Sequence, residues 1–403
     1  MYYELIIIGF GISGISLAKE AIKNNINFLV LEKNSNLGGV WFNANENTSL
    51  QTHRMFYEYT EEEIMETKND YPNKNEIIDY LNKIIDKYKI KNKVLYNCCV
   101  TKIEKRNNLY FINNTYSCKY LGICNGINNI PIKLPDKIVK NFTGNIIHSS
   151  ELNDKDYYNF NNKNIVIIGN GASACDIISI IEKKNITCTP IVLYRSDKYY
   201  VHKYIFKIPI SLILCKPILL LFKYLPLIIY YLLIKLTIIF LFNIYLDTPY
   251  SKMNGNNLIA SNIIQKKISD GTLCYVKDIL SDCQNKNLIC ENNIFLNIDY
   301  IILATGYKSD YSFLKEYNIS NKLSNQIYDK HLENCAFIGY SKSYNWSQIS
   351  EKQSKIFIND ILKNRNRASF TNYDEKIIKN FLNNQKYNDL DYNDLTYEMF
   401  SYK

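Results

Sequence analysis

Short apolar runs closed by glycine set the pattern of this chain. Residues 4–8 (ELIII) form the first run, and continuous apolar stretches of this length suit a parallel strand covered on both faces. Gly9-Phe10-Gly11-Ile12-Ser13-Gly14 follows, and then Ile15, Leu17, Ala18, Ala21 and Ile22 recur at helical spacing. A second run, Phe28 to Leu31, ends at Glu32. Strand, glycine turn, helix, strand and acid in this order predict one βαβ unit. The order returns at Asn164 to Ile168, Gly169-Asn170-Gly171-Ala172-Ser173-Ala174, the helical set Ile177, Ile178, Ile180 and Ile181, and the strand Ile191 to Tyr194, which ends at Arg195. A further run, Tyr300 to Leu303, leads into Ala304-Thr305-Gly306-Tyr307.

Between these units, Glu76 to Tyr88 predicts an amphipathic helix through Ile77, Ile78, Leu81, Ile84 and Ile85. Residues 94–100, 101–104, 110–112 and 121–124 predict short strands, the last closed by Asn125-Gly126. The expected fold is α/β, with two Rossmann-like dinucleotide-binding domains and an apolar helical insertion in the second. The expected bounds are 1–160 for the first domain, 161–300 for the second with its insertion at 204–246, 301–368 for a return to the first, and 369–403 for a polar helical tail.

The two glycine loops carry the candidate chemistry. In each, the first glycine allows the tight turn, the second lets backbone approach a pyrophosphate, and the third position permits close helix–strand packing. Phosphate then rests on the helix N-terminal amides. Gly9, Gly11 and Gly14 fill these roles in the first loop. Glu32, 23 positions after Gly9, stands where a carboxylate binds ribose hydroxyls and repels a 2′-phosphate, which suits FAD or NAD. The second loop offers Gly169, Gly171, Ser173 and Ala174, with Ala174 in the third glycine's place. Its partner at the strand end is Arg195, which can grip a 2′-phosphate through two bonds or stand as a solvated surface charge. Opposite signs at equivalent places predict FAD in the first site and NADPH in the second. Gly38-Gly39-Val40-Trp41 reads two ways: backbone passing over a cofactor, with Gly39 at closest approach and Trp41 near the isoalloxazine, or an ordinary turn before a core tryptophan.

Composition narrows the classes. Of 403 residues, 47% are hydrophobic and 22% charged, enough to bury a large core, so a disordered chain is excluded. Fourteen Gly and eight Pro exclude a collagenous chain. Eleven cysteines include no CxxC pair, and there are only four histidines, so neither a disulfide framework nor a metal site is expected and the thiols read as reduced. The start Met1-Tyr2-Tyr3-Glu4 lacks the basic region of a signal peptide, and a cytoplasmic-side location is expected. Asn-rich stretches read as loops.

The net charge of +9 is unevenly placed. Lys198, Lys203, Lys207, Lys216, Lys223 and Lys235 supply six positive charges between 198 and 246, with no acid among them. Lysines and prolines break the apolar sequence of 204–246, so its longest charge-free pieces, 224–234 and 236–246, are 11 residues each. That is short of the roughly 18–20 needed for a span and suits interfacial helices on an anionic membrane surface; a span, a substrate lid or a dimer face are the alternatives. Basic residues in this apolar setting do not suggest nucleic-acid binding. The sequence carries no expectation for oligomeric state.

From residue 3 to about 360 the chain resembles the flavin-containing monooxygenases, single-component FAD and NADPH enzymes of the class B flavoprotein group. The likeness rests on both glycine loops, Gly38-Gly39-Val40-Trp41, Leu50-Gln51-Thr52, Phe142-Thr143-Gly144-Asn145-Ile146-Ile147-His148-Ser149, Ala304-Thr305-Gly306-Tyr307 and Glu351-Lys352-Gln353. FxGxxxH between two nucleotide loops is its most specific part. The resemblance implies that Gln51, Thr52, Thr305 and Gly306 also bind cofactor. It further implies that NADPH reduces FAD, that O2 adds to the flavin as a C4a-(hydro)peroxyflavin, and that one oxygen atom passes to a small, lipophilic substrate by N- or S-oxygenation or a Baeyer–Villiger reaction. The chain departs from the family at Leu152, where an aromatic residue is usual, and at His53, where Asn is usual. His53 is therefore either a changed active-site group, the one candidate catalytic side chain, or a loop residue. His148 reads as structural rather than as a proton donor. The alternatives are an NADPH oxidase producing hydrogen peroxide, a disulfide reductase, which the missing CxxC opposes, and a non-catalytic membrane-associated scaffold.

Overall fold

The structure, a computed structural model, describes residues 1–205, 207–213, 258–315, 317, 319, 323, 327–340 and 345–364. Most of the expected insertion (206 and 214–246) and the whole of the expected tail (369–403) lie outside the described residues. Two compact units divide the rest: 1–44, 54–130 and 308–364 form the first, and 45–53 and 131–307 the second. The expected bounds stood at 160 and 300.

The first unit is built on strand β1 (Tyr2–Ile8), helix α1 (Ile12–Lys23) and strand β2 (Phe28–Leu31). Helix α2 (Lys74–Lys87) and strands β3 (Val94–Leu95), β4 (Ile103–Arg106), β5 (Leu109–Ile112) and β6 (Tyr116–Ile123) follow. The strands run β3-β2-β1-β6-β5-β4, and Cys335–Phe337 adds to β6. β1 lies parallel to both neighbours, with Leu5 opposite Phe28 and Tyr120, and Leu5, Ile6 and Ile7 are fully buried. Helix α2 starts two residues before the expected Glu76 because Asn73 caps it: the Asn73 side chain accepts from Glu76 N at 3.1 Å and Glu76 Oε2 from Asn73 N at 2.9 Å. The strand expected over 94–100 stops at Leu95. Asn97 has φ +54° and turns the chain, and the amides of Asn97 and Cys98 bond back to 34 and 32. Among the described residues, 11 of 13 non-glycine positions with positive φ are Asn, so asparagine fills turns where a chain richer in glycine would use Gly.

The helix Trp346–Asn364 lies against α1. Ser350 and Ser354 bond to Ser13 and Ser16 at 2.9 and 3.2 Å, and Gln353 Oε1 accepts from Gly339 N at 2.7 Å. Lys19 is fully buried here, with Nζ 2.5 Å from Glu351 Oε1 and 3.2 Å from Glu62 Oε1. Glu351 Oε2 accepts from Thr60 N and Oγ1. A buried charge so enclosed is tolerated because each partner is bonded; removing one partner of such a cluster costs about 3–5 kcal/mol.

The second unit holds a wholly parallel five-stranded sheet. Its strands are β7 (Asn145–His148), β8 (Ile165–Ile168), β9 (Ile191–Tyr194), β10 (Cys274–Lys277) and β11 (Tyr300–Leu303), in the order β10-β9-β8-β11-β7. Helix α3 (Ala172–Lys183) joins β8 to β9 and packs Ile177, Ile178 and Ile181 onto Ile165, Val192 and Ile302. Because β7 and β11 pair in this sheet, the passages between units fall near 130 and 307.

Candidate functional site

In the first unit, β1 ends at Gly9, whose φ is +96° and whose absent Cβ would stand 2.8 Å from Cys124 O. A Cβ on Gly14 would stand 2.0 Å from Gly9 O, so helix α1 begins directly against the turn. Gly11 is the helix N-cap. No side chain caps the helix and no acid stands in its first turn, which leaves the positive end of the dipole open to an anion. Gly39, at φ +58°, passes so close that a Cβ on it would lie 3.1 Å from Gly11 Cα, and Gly38 N donates to Phe10 O. Glu32 is 3% exposed; its Oε2 accepts from Phe10 N at 2.6 Å and its Oε1 from Asn34 N at 2.8 Å. The carboxylate thus braces the loop while each oxygen keeps lone-pair capacity. Trp41 is buried in a short helix, Val40–Asn43, and its Nε1–H donates to Tyr57 Oη at 2.6 Å. Burial raises the Tyr57 phenol well above its ordinary value, so it stays protonated.

In the second unit, Gly169 has φ +108°, and a Cβ there would lie 2.3 Å from Ala304 O. Gly171, the N-cap of α3, has an ordinary extended backbone, and a Cβ on it would meet nothing within 4 Å. The space before this uncapped helix is thus open. Ser173 is in the first turn of α3, and Ala174 is fully buried in the core. Asn170, which sequence reasoning passed over although it stands inside the loop, donates to Ser196 O at 3.0 Å and Tyr275 Oη at 2.8 Å and accepts at its carbonyl from Tyr200 Oη. Arg195 is exposed immediately after β9. Thr305 Oγ1 donates to Ile132 O, and Gly306 turns at φ +80° with open space where its Cβ would be.

His148 ends β7 and is 2% exposed. Ser150 N donates to its Nδ1 at 3.2 Å, so the proton sits on Nε2, which donates to Gly306 O at 3.2 Å. Burial lowers its pKa and keeps the ring neutral. His148 therefore ties β7 to the Gly306 turn.

Residues 45–53 belong to the second unit although the first unit flanks them on both sides. Lys203 Nζ donates to Ser49 Oγ at 2.9 Å and to Leu50 O at 3.4 Å, and His53 N donates to Ser211 Oγ at 2.9 Å. Thr52 is buried. Gln51 Oε1 is buried with no hydrogen-bond partner, at a cost of about 1–3 kcal/mol that a ligand donor would remove. Close by in electrostatic terms, burial pushes the Asp176 carboxyl up to about 7 against the pull of Lys203 and Lys183, and burial lowers the Lys203 amine. Asp176 and Ser211 had no signal in the sequence beyond residue type, and Lys203, read there as one of six lysines facing an anionic surface, instead holds Ser49 and Leu50. Gly9, Gly11, Gly14, Glu32, Gly39 and Trp41 are brought together in one unit, and Gly169, Gly171, Ser173, Ala174, Thr305 and Gly306 lie in the other.

The family model described as flavin-binding monooxygenase-like matches residues 120–388, and that described as pyridine nucleotide-disulphide oxidoreductase matches residues 6–211. The chain belongs to the flavin-binding monooxygenase-like family. The uncharacterized oxidoreductase CzcO of Bacillus subtilis is 28% identical over 190 residues, 46% of this chain and 53% of that protein. A Baeyer-Villiger monooxygenase of Pseudomonas aeruginosa is 26% identical over 187 residues, 44% of this chain and 35% of that protein. The chain thus spans about half or less of the length of these curated relatives. Among solved structures, a flavin-containing monooxygenase from Stenotrophomonas maltophilia shares the fold with a TM-score of 0.67 at 13% identity, covering 90% of this chain and 98% of that one. OTEMO, solved with FAD and NADP, does so with a TM-score of 0.70 at 16% identity, covering 90% and 86%.

As for disulfide chemistry, burial raises the thiols of Cys118 and Cys124 and so removes the thiolate character that exchange requires. Among the described residues, no cluster of His, Cys, Asp and Glu could hold a metal, and no helix is long and apolar enough to cross a membrane.

Proposed function

We propose that this protein is an FAD- and NADPH-dependent monooxygenase that inserts one oxygen atom from O2 into a small, lipophilic substrate. The observation that carries the reading is the contrast between two equivalent strand ends: Glu32, buried at the end of β2, and Arg195, exposed at the end of β9. A carboxylate suits free ribose hydroxyls and a guanidinium suits a 2′-phosphate, so one loop is built for FAD and the other for NADPH.

Gly9, Gly11 and Gly14 would admit the FAD pyrophosphate to the start of α1, and Glu32 would hold its ribose. Gly169, Gly171, Ser173 and Ala174 would do the same for NADPH at α3, with Arg195 on the 2′-phosphate. Gly39, Trp41, Gln51, Thr52, Thr305 and Gly306 are assigned as further cofactor contacts, and the buried, unpaired Gln51 Oε1 would accept a cofactor donor. Bound flavin supplies hydride acceptance and the activation of O2. The protein's own work is to hold the two cofactors, exclude water and keep neighbouring protons fixed: Tyr57 stays a phenol, His148 stays neutral, and the Trp41 N–H stays bonded to Tyr57. His53 is the candidate side chain for tuning the oxygen chemistry. The sequence of 204–246 supports attachment to an anionic membrane surface, through which a lipophilic substrate would enter.

Purified protein should be yellow and should consume NADPH and O2 in step with oxygenated product, with one atom of 18O from 18O2 in that product. NADPH use matched wholly by hydrogen peroxide would replace this reading with an oxidase, and colourless protein that takes up no flavin would end it.

A further inference from the structure

Lys203 and Ser211 stand on one short hairpin. Tyr204–Ile205 pairs antiparallel with Ile208–Pro209, and Ile210 N donates to Lys203 O at 2.8 Å, closing its base. From that base the hairpin grips another stretch of chain twice: Lys203 Nζ holds Ser49 Oγ and Leu50 O, and Ser211 Oγ holds the His53 amide. The two residues between the grips are Gln51 and Thr52, one with an unpaired buried oxygen and the other buried. These three bonds reach across more than 150 positions of sequence, which explains why 45–53 packs with the second unit.

We propose that the hairpin 203–211 is a clamp that positions Gln51 and Thr52 in the cofactor site. Its positioning residues are Lys203 and Ser211. The proposal rests on the assignment of Gln51 and Thr52 as cofactor contacts under the proposed function. Two features favour a positioning role over simple surface packing. Ser211 is 3% exposed, so its hydroxyl is not a solvent group. The Lys203 head reaches two oxygens of the same stretch, Ser49 Oγ and Leu50 O, while Asp176 attracts it and Lys183 repels it.

The test uses the flavin-loaded full chain with Ser211→Ala, Lys203→Met and, as the conservative variant, Lys203→Arg. Hydrogen–deuterium exchange should speed up by about tenfold or more over 49–53 in the first two variants, with β8 and β9 exchanging as in the wild type. In the same variants a larger share of NADPH, H⁺ and O2 should end as NADP⁺ and hydrogen peroxide rather than as NADP⁺, water and oxygenated product. The KM for NADPH should stay within about twofold, and Lys203→Arg should restore the coupling. If Lys203→Met does not fold, Ser211→Ala carries the test. Unchanged exchange over 49–53 overturns the clamp, and so does faster exchange with unchanged coupling. Wild-type protein that neither binds flavin nor oxidises NADPH would overturn the proposed function instead, and the exchange measurement would then judge the clamp by itself.

Discussion

Alanine at Gly171 and alanine at Gly169 should have opposite consequences, although the two glycines are two residues apart. Gly171 has φ −81° and ψ −169°, which any residue adopts, and its Cβ would enter open space. Alanine is a poorer N-cap than glycine by a fraction of a kcal/mol, but it also reduces unfolded-state freedom by about 0.4–1 kcal/mol. The two effects nearly cancel, so the melting curve should hardly move. The added methyl would, however, occupy the space before the first amides of α3. NADPH binding should weaken by about 30-fold, which is about 2 kcal/mol. Gly169 is the reverse case. Its φ of +108° is strained for alanine, and the Cβ would lie 2.3 Å from the backbone oxygen of Ala304, which cannot swing aside. The left-handed conformation alone costs about 1–2 kcal/mol, and relieving the overlap should bring the loss to about 3 kcal/mol or more. Calorimetric titration with NADPH and urea denaturation followed by circular dichroism read the two effects separately. Wild-type NADPH affinity in Gly171→Ala would refute the assignment of this loop to the dinucleotide. Wild-type stability in Gly169→Ala would refute the contact with Ala304.

Arg195→Ala should weaken NADPH by about 10- to 100-fold while NADH changes by less than about threefold, because only NADPH carries the 2′-phosphate; equal losses in titrations of the two would remove Arg195 from that role. Asp176 is held at about 7 against an ordinary 3.8, so the folded chain binds its proton more tightly than the unfolded one. The stability this contributes is complete below pH 3.8 and is lost as pH rises through about 7, falling by at most about 3 kcal/mol between pH 5 and 8. Asp176→Asn should flatten that slope in urea titrations at the two pH values, and an unchanged slope would show that other groups cause it. The protein should sediment with membranes and be released by deletion of 214–246, which spares the hairpin; wild type staying soluble without detergent would overturn the membrane attachment.

Much of the scaffold was legible because it is local. A buried parallel strand needs an unbroken apolar run, and a turn into a helix against that strand needs glycine where a Cβ would strike the backbone. Gly9, Gly14 and Gly169 meet that need within a few residues of sequence, and β1, α1, β2, β8, α3 and β9 follow. The limits of local reading show at Asn97, where one residue in the left-handed region ended a strand that the apolar pattern would have continued to Val100.

By itself the sequence determined the two βαβ units, the acid at the end of one and the arginine at the end of the other. Only the tertiary structure decided which distant groups meet: Lys19 with Glu62 and Glu351, the His148 proton with Gly306, and Lys203 and Ser211 with the segment 49–53. The physical reason is range. Strand, turn and helix are set by sterics between neighbours along the chain. A buried ammonium or an amide in need of an acceptor is satisfied by whichever residue the completed fold brings within about 3 Å, and no spacing in the sequence encodes that partner.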